Sequence, residues 1–329
     1  MKEDTMWAMM RLSRLKRKGH DALPGHEGRL RGRGALQCVM VLLAVWAGLP
    51  AAGWAWGDRG HKLINAAAVQ NLPEPLRTYF LARKAYLVEH AVDPDILAHE
   101  DASEQHHHYT DVDADDAFPF LKFRRQFVMK RAGPTPAELR HGDSIWQIES
   151  FTLRLANALR KRRWEEADHD AVFAAHYAAD LTQPLHTVTN YDGQLTGQAG
   201  VHARFESELV NALADGWQLR PRPATFEPDL RARIFEELTA SFSCRNAVFA
   251  SDHLAVSGRS YFDPQYFAAF CKLAGPLAEK RIEAGASFVS SLWYTAWVRA
   301  GKPAIPAGPL PGKAFERAPA AWRSHRPAL

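Results

Sequence analysis

Residues 176–186 read His176-Tyr-Ala-Ala-Asp180-Leu-Thr-Gln-Pro-Leu-His186. His176 and Asp180 are four apart, which puts both on one face of a helix. Pro184 cannot continue that helix, because its ring removes a donor and crowds the preceding turn, so His186 is redirected. The segment His202-Ala-Arg-Phe-Glu206 repeats the His/carboxylate pair at the same spacing. One such pair is common as a solvated contact on a helix. Two pairs on neighbouring helices, with His186 between them, make a set of imidazole and carboxylate donors, which zinc accepts when thiolates are absent.

The chain around these pairs also reads as helix. Residues 61–72 have helical composition and periodicity, and Pro73 and Pro75 end the segment or start the next helix. Ser144 followed by Gln147 has the capping-box pattern and predicts a helix to about Lys161. Asp168 or Asp170 is expected to cap a helix running through Asp180. Helix resumes from Val201 to Ala214. A long amphipathic helix is expected from Pro276 to Val298, with Leu277, Ile282, Phe288, Leu292 and Ala296 on one face. Residues 88–120, rich in His, Asp and Pro, read as loop with short helical turns, and 189–200 as a polar, Gly-rich loop. No stretch alternates with period two. The predicted fold class is all-α, one domain over residues 56–301. Trp146, Trp293 and Trp297 lie in predicted helices and are expected in the core. Lys161-Arg162-Arg163 closes a helix, and Asp143 and Ser144 are read as caps rather than catalytic acids.

The two ends have a different character. Residues 1–55 hold nine of the 41 Lys and Arg but four of the 37 Asp and Glu, so the net charge of +4 belongs to this segment. The body is nearly neutral, which gives no argument for a broad nucleic-acid-binding surface. A basic stretch, the apolar run Ala35 to Leu49 and the small residues Gly53-Trp54-Ala55 together read as an export signal cut before Trp56. The apolar run is short for a membrane span. Residues 302–329 carry six prolines and read as a mobile tail. Cys38 leaves with the leader. Cys244 and Cys271 remain, a pair able to form one disulfide in an oxidising compartment. Neither has metal-site spacing, so a metal must be held by His, Asp and Glu.

The 88–120 segment adds Asp93, Asp95, His106, His107, His108 and Asp111 as donors. A triple His is often only a solvated tract, and three consecutive side chains rarely reach one ion. One true ligand is expected from the three.

In order, the chain offers Trp56-Gly-Asp-Arg-Gly-His61, an Asp, a His, His176-x3-Asp180-x5-His186 and His202-x3-Glu206. This succession resembles the superfamily that joins bacterial zinc-dependent phospholipase C with the single-strand-specific zinc nucleases. The resemblance spans residues 56–206, and its most specific element is Asp-x5-His with Gln183-Pro184-Leu185. It implies a helical domain with three zinc ions at the base of a cleft. One ion would be held by Asp95, His108, His176 and Asp180, and a second by His186, His202 and Glu206. A third would be held by Trp56, through its freed amino group and carbonyl, with His61 and the bridging Asp180. Asp93 is the fallback for Asp95, and His106 and His107 are the fallbacks for His108. Asp95 is also the residue expected to orient the attacking water.

The implied activity is hydrolysis of a phosphate ester, on phospholipid or single-stranded nucleic acid. No organic cofactor or stable protein partner is expected, and the mature protein is expected in the periplasm or outside the cell. The spacing from Trp56 to His61 favours the nuclease branch, whereas Glu206 favours the phospholipase branch, since the nucleases typically have Asp there. Tyr109 and Asp111 stand where nuclease counterparts stack on and hydrogen-bond a base. The other reading packs Tyr109 in the wall and makes Asp111 the partner of a ligand His. Arg59, Ile96 and Gln105 replace the acid and aromatics of choline-selective phospholipases, so an aromatic choline cage is not expected. Ala98 stands where the nucleases carry Arg. A non-catalytic zinc-stabilised binding protein and a zinc phosphomonoesterase are the alternatives.

Overall fold

The computed structural model describes residues 56–306. The expected leader, its cleavage site and all but the first residues of the Pro-rich tail lie outside the described residues. Among the described residues the chain is helical and contains no strand, so the fold class is all-α as the sequence predicts. Six helices among the described residues have eight residues or more. They are α1 (Gly57–Gln70), α2 (Asp93–Glu100), α3 (Ser144–Arg160), α4 (Trp164–Thr182), α5 (Leu230–Val256) and α6 (Pro264–Arg299).

Helix α4 is the axis of the molecule. Every residue from His169 to Thr182 is buried, because α3, α6, α5 and α1 all pack on it. Its composition fits this setting: the alanines at 171, 174, 175, 178 and 179 let neighbouring helices approach closely. Helix α6 lies across α1, α3 and α4, and Trp293 in it donates its indole N–H to Ala171 O at 3.0 Å. Phe80 stacks on Trp293, with centroids 4.7 Å apart. Burying a side chain of this size stabilises the fold by roughly 1.5–3 kcal/mol. Trp146, Trp293 and Trp297 are all core residues, as expected.

Several boundaries differ from the sequence reading. Helix α6 starts at Pro264, capped by Asp263, and Pro276 lies inside it rather than at its start. Packing of the flanking turns carries the helix across the donor that proline lacks. Helix α4 begins at Trp164, with Glu165 and Glu166 complementing its N-terminal dipole, so Asp168 and Asp170 are interior rather than caps. Asp143 does occupy the N-cap position of α3, but its side chain caps nothing. Ser144 Oγ instead pairs with Thr110 Oγ1 at 2.8 Å. The segment read as loop contains α2, where Pro94 occupies a first-turn position that needs no donor. The helix expected over 201–214 is interrupted by a π-turn at Arg204–Glu208. Cys244 and Cys271 are half-buried and unbridged.

Candidate metal centre

Helix α4, the turn that follows it, α1, α2, the turn Glu104–His108 and the segment from Val201–Ala203 into the π-turn bring eight donor side chains of the expected set together in three groups. Asp180 is fully buried and stands among them. Its Oδ2 lies 3.0 Å from His108 Nδ1 and 3.3 Å from His176 Nε2. Its Oδ1 lies 3.2 Å from His61 Nε2. His61 and His176 stack almost parallel, with centroids 4.1 Å apart and planes at 9°. Asp95 Oδ1 lies 3.4 Å from His176 Nε2 and 3.5 Å from His108 Nδ1. The donor atoms thus converge as His61, His176 and Asp180, and as Asp95, His108 and His176.

A second convergence follows the Pro184 turn. His186 Nε2 faces His202 Nε2 at 3.1 Å, and Glu206 Oε2 lies 2.8 Å from His202 Nε2 and 3.4 Å from His186 Nε2. Gln183 Nε2 donates to the same Glu206 oxygen at 3.1 Å.

Three of these imidazoles are oriented in one way. His176 Nδ1 donates to Ala91 O at 2.8 Å, His186 Nδ1 to His108 O at 2.7 Å and His202 Nδ1 to Tyr191 O at 3.2 Å. A carbonyl only accepts, so each Nδ1 carries the proton and each Nε2 turns inward. That arrangement is the usual outer shell of a metal-binding histidine.

Hydrogen bonding leaves this interior incomplete. Seven buried side-chain polar atoms lack a hydrogen-bond partner among the described residues, and five belong here: His61 Nε2, Asp95 Oδ1, His108 Nε2, Asp180 Oδ1 and Glu206 Oε1. His61 Nε2 and Asp180 Oδ1 are close but not aligned for a hydrogen bond. Buried polar atoms are normally satisfied, and unpaired ones are costly. A cluster of orphaned N and O donors around three carboxylates fits a cation.

The electrostatics agree. Burial raises Asp180, but His176, His108 and His61 outweigh it and hold its carboxyl well below the usual range. Burial opposes charge on His186, yet Glu206 and Asp180 push it up to about 9. Burial likewise opposes charge on His176, and Asp95 and Asp180 override it. Burial and the neighbouring His176 lower His61. The carboxylates draw positive charge, which protons or metal cations can supply.

The fallback residues are engaged elsewhere. Asp93 pairs with His90 Nδ1 at 2.8 Å. His107 pairs with Asp143 at 2.6 Å, and His106 Nδ1 lies 3.0 Å from Tyr109 Oη. Trp56 is fully buried at the start of α1, its indole donating to Thr182 Oγ1 at 3.2 Å. Gly57, at φ +56°, fits there because a Cβ would meet Ser207 Oγ at 2.7 Å. The N-terminal end of α1 therefore presses against the turn that carries Glu206. Asp111 lines a cavity of about 170 Å³ together with Val112, Lys122, Phe123, Glu138 and His141. Burial and Asp113 push its carboxyl up to about 7. Tyr109 is half-buried beside it, and its carbonyl closes on Gly142.

Sequence reasoning missed the carbonyls of Ala91, His108 and Tyr191, which have no side-chain signature. It also missed the part of Gln183, whose presence beside Pro184 was the available signal. With this geometry in hand, comparison with known proteins gives one family: residues 56–211 match the S1/P1 Nuclease family model. No curated protein matches the chain.

Proposed function

We propose, with the S1/P1 nuclease family assignment of residues 56–211 as premise, that this chain is a zinc-dependent phosphodiesterase acting on single-stranded nucleic acid. The observation that carries the reading is the set of inward-facing, unpaired donors on Asp180, His61, His108, Asp95 and Glu206.

Asp95, His108, His176 and Asp180 would hold one zinc ion, and His186, His202 and Glu206 a second. The main chain of Trp56, with His61 and Asp180, would hold a third. Bound zinc offsets the charge of a phosphodiester and makes water a competent nucleophile at neutral pH. The protein's own groups do the rest. Asp95, the most exposed carboxylate among those converging on His176, accepts a proton from the attacking water and aims it at phosphorus. Asp95, Asp180 and Glu206 carry three negative charges against the six of three zinc ions, so the centre attracts phosphate. Tyr109 offers a ring to stack on a base and Asp111 hydrogen-bonds its edge.

In this reading residues 1–55 are an export leader and residues 56–301 the working domain. Cleavage before Trp56 frees the amine that completes the third ligand set, in the periplasm or outside the cell. Glu206, at a position where the nucleases typically carry Asp, favours phospholipid as the second substrate reading.

The test is parallel hydrolysis of single-stranded DNA, RNA and phospholipid by the protein starting at Trp56, with and without a chelator. Chelator-sensitive cleavage of nucleic acid is expected. Cleavage of phospholipid alone moves the reading to the second substrate. No cleavage of any of them by a zinc-loaded protein overturns it in favour of a phosphomonoesterase or a binding protein.

A further inference from the structure

Arg204 lies between His202 and Glu206 in the π-turn, and its two Nη atoms enter a buried polar network, while its Nε has no hydrogen-bond partner among the described residues. Its Nη1 donates to Ala199 O at 2.9 Å, and its Nη2 to Gln198 O at 3.0 Å and Asp252 Oδ1 at 3.1 Å. Asp252 is fully buried in α5. It also accepts from Tyr266 Oη at 2.5 Å on Oδ1, and from Gln198 Nε2 at 2.8 Å and Tyr261 Oη at 3.2 Å on Oδ2. The Tyr261 ring covers the guanidinium, 4.3 Å from its centroid. Gly200, at φ +85°, has room for the guanidinium only because it lacks a Cβ, which would lie 2.6 Å from Nη1.

This network grips both sides of the second ligand group. On one side it fixes the end of the 189–200 loop, whose Tyr191 carbonyl orients His202. Asp192 of the same loop accepts from the Gly200 and His202 amides at 2.9 and 3.3 Å. On the other side it fixes the π-turn itself, a rare helical form that is frequent at functional sites. His61, His176 and Asp180 sit on long helices locked by the core. His202 and Glu206 instead sit on a three-residue helical turn and the π-turn. Asp252, Tyr261 and Tyr266 all lie beyond residue 211, outside the family match.

We infer that Asp252, through Arg204, is a positioning residue for the second ligand group: it sets the affinity of the His186–His202–Glu206 group for zinc without touching the metal. The inference rests on the zinc reading above. A buried charge pair braced by several further hydrogen bonds holds its geometry, whereas removing one partner leaves a buried uncompensated charge. Loss of an outer partner of a metal ligand typically lowers metal affinity by about 10–100-fold.

The experiment is competition for Zn²⁺ alone, between a chromogenic chelator and the metal-free protein starting at Trp56. It compares wild type, His202→Ala, Asp252→Asn and Tyr266→Phe, each checked for helical content. The zinc equivalent lost in His202→Ala marks the second group. Asp252→Asn is expected to weaken that same equivalent by about 10–100-fold and leave the others unchanged. Tyr266→Phe, a milder change that keeps the ion pair, is expected to weaken it less and serves if Asp252→Asn does not fold. Wild-type affinity of the marked equivalent in the folded variants overturns the inference. So does equal weakening of every equivalent, which is what general destabilisation produces. If wild type itself takes no zinc, the metal reading falls and this inference falls with it.

Discussion

The Nε2 atoms of His186 and His202 face each other at 3.1 Å, each imidazole being held from behind by a main-chain carbonyl. Two inward nitrogens this close need positive charge between or beside them. The first prediction follows directly. Removing zinc with a chelator should lower the melting temperature, and restoring zinc should raise it in a concentration-dependent way. An ion present at a hundred times its Kd stabilises by about 2.7 kcal/mol. Differential scanning with a zinc titration measures this, and a melting temperature indifferent to zinc would count against a metal centre.

His176 is shared by two of the convergent donor groups. His176→Ala should therefore abolish hydrolysis and remove at least the one zinc equivalent that it is assigned to hold. The loss of kcat should exceed the roughly hundredfold change seen for outer partners. Metal analysis and kinetics on the folded variant check it; full activity would remove His176 from the site.

Asp93 and Asp95 are two residues apart and make a matched contrast. Asp95 faces His108 and His176, whereas Asp93 pairs with His90. Asp95→Asn should lower kcat by about 10²–10⁴, the range for a positioned proton acceptor. Asp93→Asn should leave kcat within a few-fold. The reverse ranking would shift the assignment by two residues.

The C-terminal end of α4 is tied to the C-terminal helices by a buried pair. Arg281 donates from Nε to Thr182 O at 2.9 Å and from Nη2 to Glu237 Oε1 at 2.6 Å. Glu237→Gln should destabilise the fold by about 3–5 kcal/mol, the usual consequence of unpairing a buried charge. Burial raises Glu237, but Arg281 and Arg233 outweigh it and hold the carboxyl below its ordinary value of 4.5. Its folded value is thus depressed. The stability it contributes is present above pH 4.5 and is lost as pH falls through the folded value. Urea denaturation at pH 7 and pH 4 should show the gap between wild type and variant shrinking in acid.

How far the sequence carried depends on whether the partners of a residue are local. The pairs His176/Asp180 and His202/Glu206 are read at i,i+4, and the structure keeps each pair together. The separation of Asp95 from Asp93, or of His108 from His106 and His107, is decided by distant groups. Asp143 engages His107 from 36 residues away. Ser144 fails as a capping box because Thr110 takes its hydroxyl, a partner no local pattern announces. Pro276 reads as a helix start, yet tertiary packing carries α6 through it. The Asp252 network draws on three separate stretches of chain, 198–204, Asp252 and 261–266, so nothing within any one of them marks it.

The carbonyls that orient His176, His186 and His202 belong to Ala91, His108 and Tyr191. Every amino acid carries the same carbonyl. Substitution at 91 or 191 leaves the acceptor in place so long as the backbone keeps its path. At those two points the centre is sheltered from genetic drift: the chain can change its letters there without losing the tautomers on which the donor set depends.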